Sequence, residues 1–341
     1  MIIYFLKVKD FILTDKSVTL FAPGFCSRVI LPCLFIIFLA GCNSSKNLTS
    51  ESIEKLLPLE ETKELITTLS ADEMQGRNVG TFGIEKAAVY IETYLRESGV
   101  DPMFGNSFRD NFTAGNEKTD NVVGIIPGTD KNLSSEYILI GAHYDHLGMI
   151  DNSDDMIYNG ANDNASGVTT VMQIASAVAK FKPRRSVIVA LFSAEEKGTQ
   201  GSAHLAEKLS KAGKAPACVI NVEMVGIQLT ESPEKVYLTG FKKSNMATRL
   251  NTLAGEEFIQ FLETETRYAL FYRSDNYPFF KQLNIPAHTI STFDFTNYKY
   301  YHHTEDEVEH LDMQNMNTII KKLALAVAKL ANEDHLGISL D

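Results

Sequence analysis

The stretch Ser186-Val187-Ile188-Val189-Ala190-Leu191-Phe192-Ser193, followed at once by Ala194-Glu195-Glu196, decides how this chain folds. Its apolar residues do not alternate with polar ones, so a strand built from them has to be covered on both faces. Such a strand belongs in a sheet with helices on either side. The abrupt change to Glu195-Glu196 marks its carboxyl end, the rim at which open α/β sheets bind ligands.

Neighbouring segments read the same way. Asn121 to Ile126, Tyr137 to Gly141 and Cys218 to Val222 are apolar runs expected to be strands. Helical spacing runs over Gly83 to Glu97, where Ile84, Ala87, Ala88, Ile91, Tyr94 and Leu95 recur before Ser98-Gly99 ends the pattern. Ser166 to Ala179, Gln200 to Leu209 and Met313 to Leu330 are expected to be helices too. The alternation predicts the α/β class, as a three-layer α/β/α sandwich with a mostly parallel central sheet. Val100 to Thr119 reads as an irregular insertion, and residues 51–341 are expected to form a single domain.

Composition narrows the function. In 341 residues, 44% are apolar and 22% charged, enough for a sizeable core and unlike a disordered chain. A formal net charge of -11 argues against nucleic acid as a partner, since phosphate contacts need clustered Lys and Arg.

Near the amino terminus, the apolar run Val29 to Ala40 follows Arg28 and ends in Leu39-Ala40-Gly41-Cys42. It falls short of the roughly 20 residues of a membrane-spanning helix and has the length of a signal-peptide core. Leu-Ala-Gly-Cys resembles a bacterial lipobox, whose Cys is lipidated and begins the mature protein. Residues 1–41 then read as a lipoprotein signal peptide, and residues 42–50 as lipidated Cys42 with a polar tether. The expectation is an exported lipoprotein held to the membrane through this anchor, on the periplasmic face of the inner or outer membrane; the competing reading is an uncleaved membrane anchor. With Cys26 and Cys33 removed and Cys42 modified, Cys218 is left without a disulfide partner. Its neighbours Ala217, Val219 and Ile220 make it a structural thiol.

Polar residues gather at the strand ends. Tyr137 to Gly141 runs into Ala142-His143-Tyr144-Asp145-His146, and the following loop holds Gly160-Ala161-Asn162-Asp163-Asn164. Two further strand ends give Glu195-Glu196 and Asn221-Val222-Glu223, and Tyr301-His302-His303-Thr304-Glu305-Asp306 comes later. Imidazoles and carboxylates of this kind are N and O donors suited to Zn²⁺. Two such cations roughly 3.5–4 Å apart would clamp a water and stabilise a tetrahedral intermediate. A neighbouring carboxylate would move the proton of that water to the leaving amine. Asp145, two residues beyond His143 on a strand, faces the same side and is placed to orient its imidazole. Singly these residues say little, because a strand-end His is commonly structural and Asp163 would serve equally as a turn or cap residue.

Taken in order, the motifs resemble the co-catalytic zinc aminopeptidases related to bacterial secreted leucyl aminopeptidases and glutamate carboxypeptidase II. The resemblance runs from about Ala71 to the last helix. It rests on Met74-Gln75-Gly76-Arg77, Gly80-Thr81-Phe82-Gly83, His143-Tyr144-Asp145-His146-Leu147-Gly148, Asp163-Asn164-Ala165-Ser166-Gly167, Ala194-Glu195-Glu196-Lys197-Gly198, Ser274-Asp275-Asn276-Tyr277-Pro278-Phe279 and Tyr301 to Asp306. It implies the zinc-exopeptidase fold, with His143 on a first zinc, Asp163 bridging two, and Glu196 and His302 on the second. Glu223 would take the remaining first-site position, where relatives usually carry Asp, and Glu195 would be general base and acid. His302 is preferred to His303 because the family places an acid four residues after the ligand, which Asp306 supplies. A cis peptide bond is implied at Asp163-Asn164. Ser274, Asp275, Tyr272 and Asn276 are expected to bind substrate; Asn276 stands where relatives often carry His and should line the pocket.

The activity implied is removal of amino-terminal residues from short peptides with two Zn²⁺. Alternatives are a carboxypeptidase or dipeptidase of the same fold, a one-zinc glutaminyl cyclase, and a binding domain without catalysis. Arg273 is a candidate for a substrate carboxylate or for plain surface. Tyr268, Phe271, Tyr272 and Phe293 could wall an apolar pocket or pack in the core.

Overall fold

The computed structural model describes residues 48–151 and 155–341. The signal segment, Cys42 and most of the tether lie outside the described residues, none of whose helices is long and apolar enough to cross a membrane.

The chain first builds an antiparallel edge from β1 (Asp101–Pro102), β2 (Arg109–Ala114) and β3 (Glu117–Ile126). β4 (Tyr137–His143) follows, then the short ribbon β5 (Gly148–Met149) and β6 (Ile157–Tyr158), apart from the main sheet. β7 (Ser186–Phe192), β8 (Cys218–Val222), β9 (Val236–Leu238), β10 (Ile259–Gln260) and β11 (Ala287–Ser291) complete that sheet. Its order is β1-β3-β7-β4-β8-β11-β9-β10, with β2 also on β3. The central strands β7, β4, β8 and β11 run parallel, so their carboxyl ends share one rim. Antiparallel pairing begins only outside them, at β3 with β7 and β9 with β11.

The helices are α1 (Ser50–Leu56), α2 (Leu59–Leu69), α3 (Phe82–Glu97), α4 (Ser166–Phe181), α5 (Gln200–Lys211), α6 (Met246–Ala254), α7 (Glu263–Arg267), α8 (Asn276–Leu283) and α9 (Met313–Leu330). Alternate residues of each central strand serve opposite layers. Ile138, Ile140 and Ala142, with Val187, Val189 and Leu191, pack against α1–α4, α6 and α9. Leu139, with Ile188, Ala190 and Phe192, packs against Leu205 and Leu209 of α5 and Phe279 of α8. Each fully buried Val, Leu, Ile or Phe among them contributes about 1.5–3 kcal/mol. This is the three-layer sandwich expected, and the continuous apolar run of β7 is the consequence of burial on both faces.

One expectation fails. Val100 to Thr119, taken as irregular, holds β1, β2 and the start of β3, with β2 and β3 paired from Arg109↔Val122 to Ala114↔Glu117. The inward alternation is present but disguised, because one of the two residues β2 buries is Asp110, the other being Ala114. That carboxylate is satisfied by Lys208 at 2.6 Å and by Asn121 at 3.1 Å.

Candidate active site

The rim of the parallel strands collects the polar residues. β4 delivers His143, buried to 1% exposure, beside Phe192 of β7. His143 Nε2 lies 3.4 Å from Asp163 Oδ1. On the other side of the ring, Nδ1 lies 3.2 Å from the main-chain carbonyl of Asp145 and 3.8 Å from its carboxylate. Asp145 thus meets the His143 ring through its main-chain carbonyl, with its carboxylate farther off. Its carboxylate accepts the main-chain N–H groups of Glu195 (3.0 Å) and Glu196 (3.3 Å), setting the turn at the end of β7.

Asp163 sits before α4, at a cis peptide bond to Asn164. Asn164 ties this loop to the end of β8: its Oδ1 accepts from Gly167 and Met224 N–H, both at 3.0 Å, and its Nδ2 donates to Val222 O at 3.1 Å. Asp163 Oδ2 stands 3.3 Å from His302 Nε2, which in turn stands 3.3 Å from Glu196 Oε2. The two oxygens of Asp163 thus face different histidines. Donors roughly 2.0–2.1 Å from a tetrahedral zinc are about 3.3 Å apart, the spacing seen in both sets. His302 is stacked on Tyr301, with ring centroids 4.0 Å apart, whereas His303 turns away and accepts the Glu305 N–H on its own Nδ1. Among the described residues, His146, Asp163 and Glu196 offer donor atoms all within 4.8 Å of one another.

Electrostatics agree with a cation site. Burial pushes Glu195 well above the usual carboxylate range, against the pull of His143 and with reinforcement from Glu223 and Asp275. Burial likewise raises Glu223, whose Oε2 accepts from Ser274 Oγ. Burial alone would raise Asp163, but the nearby imidazoles of His143 and His302 hold it low. For His302 burial is outweighed by Asp163 and Glu196, which carry it up to about 10. Carboxylates crowd one rim, and His143 Nε2 is buried without a hydrogen-bond partner, an arrangement that costs about 1–3 kcal/mol. Cations held by these donors would remove both penalties, so the residues present fit zinc.

A model described as peptidase family M28 matches residues 121–327.

This chain belongs to peptidase family M28.

A probable zinc metalloprotease of Pyrenophora teres f. teres is 27% identical over 207 residues, 52% of this chain and 43% of that protein. Leucine aminopeptidase 1 of Fusarium vanettenii is 26% identical over 253 residues, 69% of this chain and 61% of that one. This M28 chain thus spans less than two thirds of the length of either. Among solved structures, BSAP, a zinc aminopeptidase from Bacillus subtilis, superposes with a TM-score of 0.65 at 17% identity, covering 82% of this chain and 97% of the other. At that identity the likeness speaks for the fold.

The M28 rim opens into a cleft bounded by Glu195, Glu223 and Ser274 on the polar side and by Met224, Phe293, Phe295 and Tyr301 on the apolar side, with Arg273 at its wall. Of the expected substrate residues, Ser274 is there. Asp275 lies beneath, fully buried, with neither oxygen hydrogen-bonded and its pKa pushed by burial up to about 7. Asn276 does not line the cleft: it is fully buried, donating to Phe271 O and Ala287 O and accepting from Thr289 Oγ1. Tyr272 also points elsewhere, 52% exposed and edge-on to Phe271 and Tyr277. Asn276 opens α8 with its side chain buried, and Tyr272 ends the separate turn Leu270–Tyr272, so neither points where Ser274 does. Phe271 is in the core, and Phe293 reaches the cleft.

Two residues were not singled out from the sequence. Arg77 is buried to 1% and donates to four carbonyls: Nε to Tyr144 (2.9 Å), Nη1 to Leu69 (2.7 Å) and Asn159 (2.6 Å), and Nη2 to Gly160 (2.9 Å). It holds both site loops in place. Its neighbour Gly76, at φ 63°, lies so close to the chain that a Cβ there would fall 2.2 Å from Gly148 O. His146 is the other, fully buried against Glu196. Nothing in a lone Arg or His signals a carbonyl cage or a buried carboxylate partner.

Proposed function

We propose that this protein is a zinc-dependent aminopeptidase that removes amino-terminal residues from short peptides. The observation that carries this reading is Asp163, one carboxylate oxygen 3.4 Å from His143 and the other 3.3 Å from His302. His143, Asp163 and Glu223 would hold one zinc, and Asp163, Glu196 and His302 the other. Zinc there supplies Lewis-acid polarisation of the scissile carbonyl and lowers the pKa of the attacking water.

The chain's own residues do the rest. Glu195 adjoins Glu196 but lines the cleft, and its main-chain N–H is anchored to Asp145. A carboxylate whose burial raises its proton affinity can take a proton from water and pass it to the leaving amine. The surplus of carboxylates at the rim attracts a substrate's terminal ammonium, and the name of the Fusarium relative agrees with that end. The wall of Met224, Phe293, Phe295 and Tyr301 suits an apolar first side chain. Anchoring through a lipidated Cys42 in the bacterial cell envelope belongs to the same proposal.

Arg273 at the cleft favours a second reading, a carboxypeptidase or dipeptidase that pairs it with a substrate carboxylate. Metal analysis joined to a peptide panel decides between them. Free peptides should be cut from the amino end, amino-blocked ones spared and carboxyl-amidated ones still cut. Equal cleavage of blocked peptides, or dependence on a free carboxylate, overturns the aminopeptidase reading. Cyclisation of amino-terminal Gln without hydrolysis would instead identify a glutaminyl cyclase.

A further inference from the structure

His146 has no part in the hydrolysis outlined above, yet it stands closer to Glu196 than His302 does. Its Nδ1 lies 2.9 Å from Glu196 Oε1, a hydrogen-bond length. The other oxygen, Oε2, stands 3.3 Å from His302 Nε2, the spacing of two donors around one tetrahedral cation. The two oxygens of Glu196 therefore have different partners. An ionised carboxylate only accepts hydrogen bonds, so Nδ1 has to carry the proton. His146 Nε2, buried and without a partner, has no acceptor for one.

The ring is held from several sides. Its side chain is fully buried, and its main-chain N–H donates to Arg77 O at 3.2 Å. It meets Tyr158 and His302 edge-on, with centroids 6.4 and 5.9 Å away. The loop ahead of Asp163 closes on it so tightly that a Cβ on Gly160 would come within 2.5 Å of the ring. Such a group cannot swing aside to let Glu196 choose another geometry.

From this geometry we infer that His146 is a positioning residue: its Nδ1–H holds Glu196 Oε1, so that only Oε2 faces the second cation. The inference rests on the two-cation reading of the site. Removal of a hydrogen-bond partner of this kind costs roughly 10–100-fold in metal affinity, here confined to the second cation.

The test uses the full chain with His146→Asn, His146→Gln and His146→Leu. The Asn amide places its N–H near the position of Nδ1, whereas Gln reaches toward Nε2 and Leu keeps bulk alone. Metal-free protein is titrated with Zn²⁺ against a chromogenic chelator, and with Co²⁺ by absorption, and thermal melting of each metal-free variant reports folding. The wild type and H146N should bind two equivalents with affinities within a few-fold of each other. H146L and H146Q should lose roughly 10–100-fold at one of the two binding steps only. If H146N binds as poorly as H146L, the N–H is not what matters and the ring itself contacts the cation or packs the site, which overturns the inference. Equal binding by all variants overturns it as well. Where Leu fails to fold, the comparison of Asn with Gln decides. A wild type that binds fewer than two zinc ions defeats the two-cation reading itself, a result distinct from failure of the His146 assignment alone.

Discussion

Asp306 Oδ2 accepts the main-chain N–H of Asp163 at 2.9 Å, while its Oδ1 accepts that of Asn162 at 2.8 Å. The segment that carries His302 therefore grips the backbone of the residue facing both histidines, and Tyr298 donates to Asp306 Oδ1 at 2.6 Å to steady it. Hydrogen bonds to a buried charge are worth about 1.5–3 kcal/mol each. Asp306→Asn turns an amide toward a backbone donor, so a lower melting temperature and weaker zinc binding are expected, by at least tenfold in a chelator titration. Unchanged zinc affinity would show that Asp306 is merely a packing residue.

Glu195→Gln should lower kcat by roughly 10²–10⁴-fold, the usual contribution of a positioned general base. Its zinc content, measured by elemental analysis, should remain that of the wild type, because Glu195 holds no cation in the proposed scheme. Loss of zinc in that variant would contradict the division of labour between Glu195 and Glu196.

Zinc binding should strengthen as pH rises. In the metal-free protein Asp163 and Glu196 carry His302 up to about 10, so at neutral pH its imidazole holds a proton that zinc has to displace. Affinity should therefore climb with pH up to about 10 and level off above it. Calorimetry in buffers of different ionisation enthalpy should register proton release at pH 7, and none would mean that His302 is neutral or not a ligand.

Cys42→Ser should move the protein from the membrane to the soluble fraction with its peptidase activity intact. Retention in the membrane pellet would point to an uncleaved anchor instead.

The sheet was legible because its central strands advertise burial on both faces, Ser186–Phe192 most openly. The candidate donors were legible for a related reason: a short run of apolar residues ending in His143, Glu196 or Glu223 places each at the rim before any coordinate is known. What stayed hidden depends on partners far apart in sequence. Asp110 looks like a loop residue until Lys208 is seen beside it. Tyr272 and Asn276 lie within two residues of Ser274 in the chain, yet one ends a turn and the other opens α8, and both point elsewhere, while Phe295 and Tyr301 reach the cleft from a distant loop. Arg77 and His146 give no local sign of the main-chain and side-chain groups that surround them.

The cage around Arg77 bears on where a minimal catalytic unit can begin. The M28 match opens at residue 121, well after this arginine, although Tyr144, Asn159 and Gly160 inside or bordering the site all spend a carbonyl on it. A chain trimmed to the matched segment would lose that donor together with α1–α3, which cover one face of the sheet, so the front of the chain both braces the rim and closes the core.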